Sequence, residues 1–136
     1  MGSEERKVVT IEVEVDPEVL HSGPKAGKFY EEQAVEFLNS IYVEELKEFD
    51  SVEVVHQPLD LLATKGDQEC HIEVKGSLEG RPLQVTHRQP EKIKALLDEG
   101  TEVCVLEVNA EPKGRKAILT FDLRSVEETE IMNVFE

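Results

Sequence analysis

The chain has 136 residues, enough for one domain with a real core, and contains no run of about 18 apolar residues that would span a membrane. Its 30 Asp and Glu against 15 Lys and Arg give a formal net charge of −15, which excludes a uniformly basic nucleic-acid-binding surface. The charged start MGSEERK is not followed by the apolar segment of a secretory leader, and the two cysteines lie in apolar-rich stretches. Cys70 and Cys104 therefore read as reduced core residues of a cytoplasmic protein, not as a disulfide framework or a zinc site.

Val9, Ile11, Val13 and Val15 alternate with Thr10, Glu12 and Glu14, which predicts a half-buried strand over residues 8–15. Pro17 ends it, and His21-Ser22-Gly23-Pro24 reads as loop. Residues 28–48 carry a helical apolar stripe through Tyr30, Ala34, Phe37 or Leu38, Ile41 and Leu46, with Asn39-Ser40 as a point of interruption. A short strand is expected over residues 52–55. Two more follow, one opened by Asp60 and one carrying Cys70 to Lys75, with Gly66-Asp67 turning between them. Residues 83–86 suit a further short strand. Pro90 fits the first turn of a helix that Gly100 stops, with Ile93, Leu96 and Leu97 as its apolar face. Residues 103–108 and 118–121 read as strands joined by a turn at Glu111-Pro112-Lys113-Gly114.

The segment from Pro58 to Lys75 carries the chemistry. Asp60 opens the apolar run Leu61-Leu62-Ala63, and Glu73 and Lys75 alternate with Cys70, Ile72 and Val74 on the next strand. Two carboxylates on adjacent strands can hold a divalent cation, and a lysine one alternation further can face the same spot. That set suits metal-assisted hydrolysis of a phosphodiester. The spacing alone is weak: Glu-x-Lys also occurs at Glu5, Glu45 and Glu111. The strand setting separates Glu73 from these. The bland alternatives are a solvated polar strand face for Glu73 and Lys75, and a turn aspartate beside Pro58 for Asp60.

Asp60 … Glu73-Val74-Lys75 resembles the signature of the PD-(D/E)xK nuclease superfamily, nearest to its archaeal Holliday-junction-resolvase-like and Mrr-like members. Gly27-Lys28-Phe29-Tyr30-Glu31 resembles the Gly-x-x-x-Glu element of the resolvase-like group. Gly76 after Lys75 and Gln89-Pro90-Glu91-Lys92-Ile93 extend the likeness, which covers roughly residues 25–108. Leu59 separates Pro58 from Asp60, a departure from the name-giving pattern at a position that varies in the superfamily.

The resemblance implies a single α/β domain with a restriction-endonuclease-like core over about 25–121. Its central mixed β-sheet would be flanked by helices, with the N-terminal strand as an addition. It implies a metal-dependent DNA endonuclease. Asp60, Glu73 and the Val74 carbonyl would bind Mg²⁺ or Mn²⁺, and Lys75 would orient water or stabilise charge. Glu31 would reach the site from its helix, with Glu32 and Glu36 as alternatives at that position, and Gln89 would orient Lys75 or a phosphate. Despite the acidic balance, residues 81–94 hold Arg81, Arg88, Lys92 and Lys94 against Glu91, and Lys28 precedes the first helix. Lys28, Arg81, Arg88 and Lys92 are the expected DNA contacts. A homodimer is expected, with residues 9–15 and 131–135 as its interface or as completion of the sheet. The competing reading is a non-catalytic nucleic-acid-binding or assembly module that keeps the fold.

Overall fold

Strand alternation and two-sided burial together organise the molecule. A computed structural model describes residues 8–57, 59–78 and 90–126, and the fold is mixed α/β. Strands β1 (Val8–Glu14), β2 (Ser51–Val54), β3 (Leu61–Lys65), β4 (Gln68–Leu78), β5 (Glu102–Lys113) and β6 (Lys116–Ser125) form one sheet in the order β1-β6-β5-β4-β3-β2. Only β4 and β5 run parallel, as the α3-containing connection between them requires, and the other neighbours are antiparallel. The N-terminal strand completes the sheet along β6, from Val8 opposite Asp122 to Glu14 opposite Lys116.

The first connection departs from expectation. Of the expected loop His21–Pro24, His21 ends helix α1 (Pro17–His21) and Gly23-Pro24 open the next helix; α1 forms because Asp16 caps it through a hydrogen bond from the Glu18 N–H at 3.0 Å and Pro17 occupies the first helical position. Helix α2 (Gly23–Leu38) starts earlier than the apolar stripe suggests, with Pro24 in its first turn. Beyond Leu38 the chain widens into a π-helical segment, Asn39–Glu45. Asn39 and Ser40 donate side-chain hydrogen bonds back to the carbonyls of Val35 and Glu36, at 3.0 and 2.7 Å, where the regular ladder changes. Both Phe37 and Leu38 are buried, whereas Leu46 is exposed.

Two cores cover the two faces of the sheet. On one face Ala34, Phe37 and Leu38 of α2 meet Ile72, Leu106, Val108 and Phe121, and the Phe37 and Phe121 rings stack at 4.5 Å. On the other, Ile93 of α3 (Pro90–Asp98) packs with Leu59, Val103, Val105 and Val126. β4 is therefore buried on both sides at its centre. The bland alternative, a solvated polar face on β4, fails at His71 and Glu73. They are buried at 7% and 1% exposure. The β5–β6 turn also shifts: Glu111, Pro112 and Lys113 remain in β5, and the reversal falls at Gly114, whose φ of 65° suits glycine. Gly100 ends α3 as expected, with φ 84° and its N–H on the Leu97 carbonyl at 2.9 Å. The expected strand at 83–86 and the apolar segment 131–135 lie outside the described residues.

One contact sets how closely α2 approaches the sheet. The Tyr30 ring lies directly on the backbone of Gly76, where any Cβ would overlap it, and the Tyr30 hydroxyl donates to the Ser77 carbonyl at 3.4 Å. Gly76→Ala is expected to destabilise the protein by about 1–3 kcal/mol, measured by chemical denaturation. Combining it with Tyr30→Leu should cost less than the sum of the two single changes. Additive losses would show that the ring and the glycine do not constrain each other.

Candidate functional site

The β2–β3 connection is short and tightly tied, and it fixes Asp60. The Val55 and His56 N–H groups both donate to the Asp60 carbonyl, at 3.1 and 3.2 Å. Across the sheet, the Val74 N–H donates to Asp60 Oδ2 at 2.8 Å. The carboxylate thus closes the β3–β4 ladder where β3 has ended, since Leu61 is the first paired residue, opposite Ile72. Continuing that register sets Asp60 beside Glu73. His56, at the tip of the connection, has a φ of 65°, an uncommon conformation for a residue with a side chain.

These residues border a cleft of about 1140 Å³. One wall is the end of α1 and the first half of α2, including Lys28, Tyr30 and Glu31. The opposite wall is β4 from Val74 to Leu78, with Asp60 and His56 closing one end. The cleft therefore gathers Asp60, Val74, Lys75, Glu31 and Lys28, which the sequence links only across long intervals. Among the three glutamates considered on α2, Glu31 is the one that lines the cleft, while Glu32 and Glu36 are exposed. The Glu31 carboxylate stands 3.6 Å from His56 Nδ1, with its side chain 19% exposed. Gly27 lies within α2 and does not open it.

Glu73 stands differently. It is among the largest fully buried side chains and does not border the cleft, which β4 reaches from Val74 onward. It shares a sheet face with Lys75 two positions on, and its β5 neighbour in register is Val105 in the α3-side core. A carboxylate in such a place is costly unless hydrogen bonds or positive charge compensate it. Beyond Lys75 in register sits Glu107, whose carboxylate meets Arg124 Nε at 3.4 Å, so the α3-side face continues as a partly buried polar strip. His71 lies earlier on this face. Its Nδ1 has no hydrogen-bond partner among the described residues, and its Nε2 is 3.8 Å from Glu69.

Lys92 of α3 donates to the Gln57 side chain at 2.9 Å, which places it beside the connection that carries His56 and Asp60. Gln89, Arg81 and Arg88 lie outside the described residues. His56 was not foreseen: no spacing marks it, because it enters the cleft through the backbone reversal before Asp60. No protein-family model and no curated protein sequence matches the chain.

The Asp60 carboxylate thus has a structural role, as the acceptor for the Val74 N–H. Asp60→Asn keeps an acceptor for the Val74 N–H and should change stability by less than about 1 kcal/mol. Asp60→Leu leaves that N–H without its partner and should cost about 1–3 kcal/mol. Urea unfolding of the two variants separates these cases. Equal losses would mean that the hydrogen bond contributes nothing specific.

Proposed function

We propose that the chain is a metal-dependent phosphodiesterase of restriction-endonuclease-like fold that acts on DNA. The observation that carries this reading is the convergence of Asp60, Val74, Lys75 and Glu31 on one cleft, with Glu73 on the strand next to Asp60. The mixed sheet flanked by helices on both faces agrees with the architecture that the PD-(D/E)xK resemblance implies.

Carboxylate and carbonyl oxygens are the ligands that a hard divalent cation takes, and continuing the β3–β4 register sets the Asp60 and Glu73 carboxylates on neighbouring strands. Asp60, Glu73 and the Val74 carbonyl would hold Mg²⁺ or Mn²⁺, which when bound supplies Lewis acidity at a phosphoryl oxygen and a more acidic water. Lys75 is among the residues that line the cleft, and its ammonium would offset the negative charge that grows on a phosphorus under attack. Glu31, beside His56, offers a carboxylate that positions water or Lys75. Lys28 on the cleft wall and Lys92 near its end supply phosphate contacts, together with Arg81 and Arg88, and Gln89 serves as an orienting group. A second copy of the chain would supply the second site needed to cut both strands of a duplex or junction.

The net charge of −15 supports one competing reading, in which the fold serves as a non-catalytic nucleic-acid-binding or assembly module. The two readings part on metal and on cleavage. Mn²⁺ or Mg²⁺ should raise the melting temperature of the wild-type chain, and Asp60→Asn should abolish the rise without unfolding the protein. Identical metal responses in both would move the site away from Asp60.

Lys75→Ala should lower cleavage of branched or duplex DNA by about 10²-fold or more while binding stays nearly unchanged. Parallel loss of binding and cleavage would make Lys75 a phosphate contact. DNA binding without cleavage by the wild-type chain, across a substrate panel with either metal, would favour the module.

A further inference from the structure

A second cluster of potential ligands lies on the same two strands, away from the cleft. Cys70 sits near the start of β4 and pairs in register with Glu102, the first residue of β5, while Cys104 pairs with Ile72 two positions further on. All three project to the α2 side of the sheet, since Cys70 shares the strand face of Ile72 and Val74, and Glu102 and Cys104 share that of Leu106. Cys70 and Cys104 are buried and Glu102 is exposed. The two sulfurs are 3.3 Å apart, Cys104 Sγ lies 4.0 Å from Glu102 Oε2, and the three ligand atoms all fall within 4.8 Å of one another.

We propose that Cys70, Cys104 and Glu102 form a binding site for a thiophilic divalent cation of the zinc type, distinct from the hard-cation site of the cleft. The separations agree with this. Metal–sulfur bonds of about 2.3 Å at a tetrahedral angle place two sulfurs roughly 3.8 Å apart, and the sulfur–oxygen distance is about 3.6 Å. The observed 3.3 and 4.0 Å bracket these values, so adjustments of about half an ångström admit the ion. Two soft thiolates with one carboxylate select zinc-like ions over Mg²⁺. The fourth position would open beside the exposed Glu102, leaving room for water.

The strand register argues against a disulfide as the purpose of the pair. Strands about 4.8 Å apart and a two-residue offset of about 6.6 Å set diagonal Cα atoms roughly 8 Å apart, whereas disulfides bridge Cα atoms up to about 6.8 Å without backbone movement. Simple core filling accounts for two thiols but not for the carboxylate held against them. Cation binding would displace the thiol protons and tie the starts of β4 and β5 together, the one parallel pair in the described sheet.

The test is Co²⁺ titration of the full chain, fully reduced and metal-free. One equivalent should produce thiolate-to-cobalt charge-transfer absorption and tetrahedral visible bands. Equimolar Zn²⁺ should displace the cobalt and excess Mg²⁺ should not. Cys70→Ser and Cys104→Ser should each abolish the charge-transfer band. Glu102→Gln changes an exposed side chain, so the fold survives, and should raise the Co²⁺ dissociation constant by about tenfold or more. Asp60→Asn should leave the spectrum intact. Absence of the band in the reduced wild-type chain overturns the proposal, including the case where the cysteines merely oxidise to a disulfide. A band that persists in Cys70→Ser, or a Glu102→Gln affinity equal to wild type, overturns it as well. If the serine variants do not fold, the Glu102→Gln comparison decides.

Discussion

The approach of helix α2 to β4 governs the rest of the architecture. Tyr30 can lie flat on the strand only because residue 76 has no side chain, and the height of the helix above the sheet follows from that contact. Glu31 is the next residue on the helix and Lys75 the one before the glycine, so a single aromatic–backbone contact sets the distance across the cleft. The same helix buries Ala34, Phe37 and Leu38 against the sheet further along, so the cleft wall is an extension of the principal core. A larger residue at position 76 would act on the site by tilting α2, without touching any of its charges.

Covering β4 from both sides has a second effect. Central strands of parallel or mixed sheets are usually apolar on both faces, yet this one carries His71 and Glu73 inward. Charge placed there is hard to account for by stability, because an apolar residue of similar size would pack more cheaply. Its placement next to Asp60, which is itself tied to Val74 by a hydrogen bond, makes the strand end a rigid polar platform at the border of two apolar cores.

Much of this was legible in the chain. The strand alternations at residues 8–15 and 70–75, the Gly66-Asp67 turn and the helix from Pro90 to Gly100 all rest on local patterns, which the tertiary structure keeps. Other features were hidden because they depend on what packs opposite. The alternation in β4 marks a polar face but leaves open whether it is solvated or covered, since nothing within the strand announces that α3 packs there. Cys70, Glu102 and Cys104 look like scattered strand residues until the parallel pairing of β4 and β5 joins them. His56 enters the cleft through a backbone reversal that no spacing encodes. Helix α1 is a different matter, because Asp16 followed by Pro17 is a recognisable helix start that the neighbouring Ser-Gly-Pro segment obscures.

The pairing of β1 with β6 has a consequence for how the molecule is made. Thr10 and Thr120 face each other although they lie 110 positions apart, so β1 lacks its sheet partner until β6 has left the ribosome. Contacts of such long range form late and slow the search for the native state. Until then the alternating valines and isoleucine of β1 are an unpaired strand, the kind of segment that recruits wrong partners. Glu12 and Glu14 interrupt it with negative charge, which suits gatekeeping during that interval. On this view the acidity of β1 protects the nascent chain, and the wait for β6 makes closure of this edge of the sheet a late step in folding.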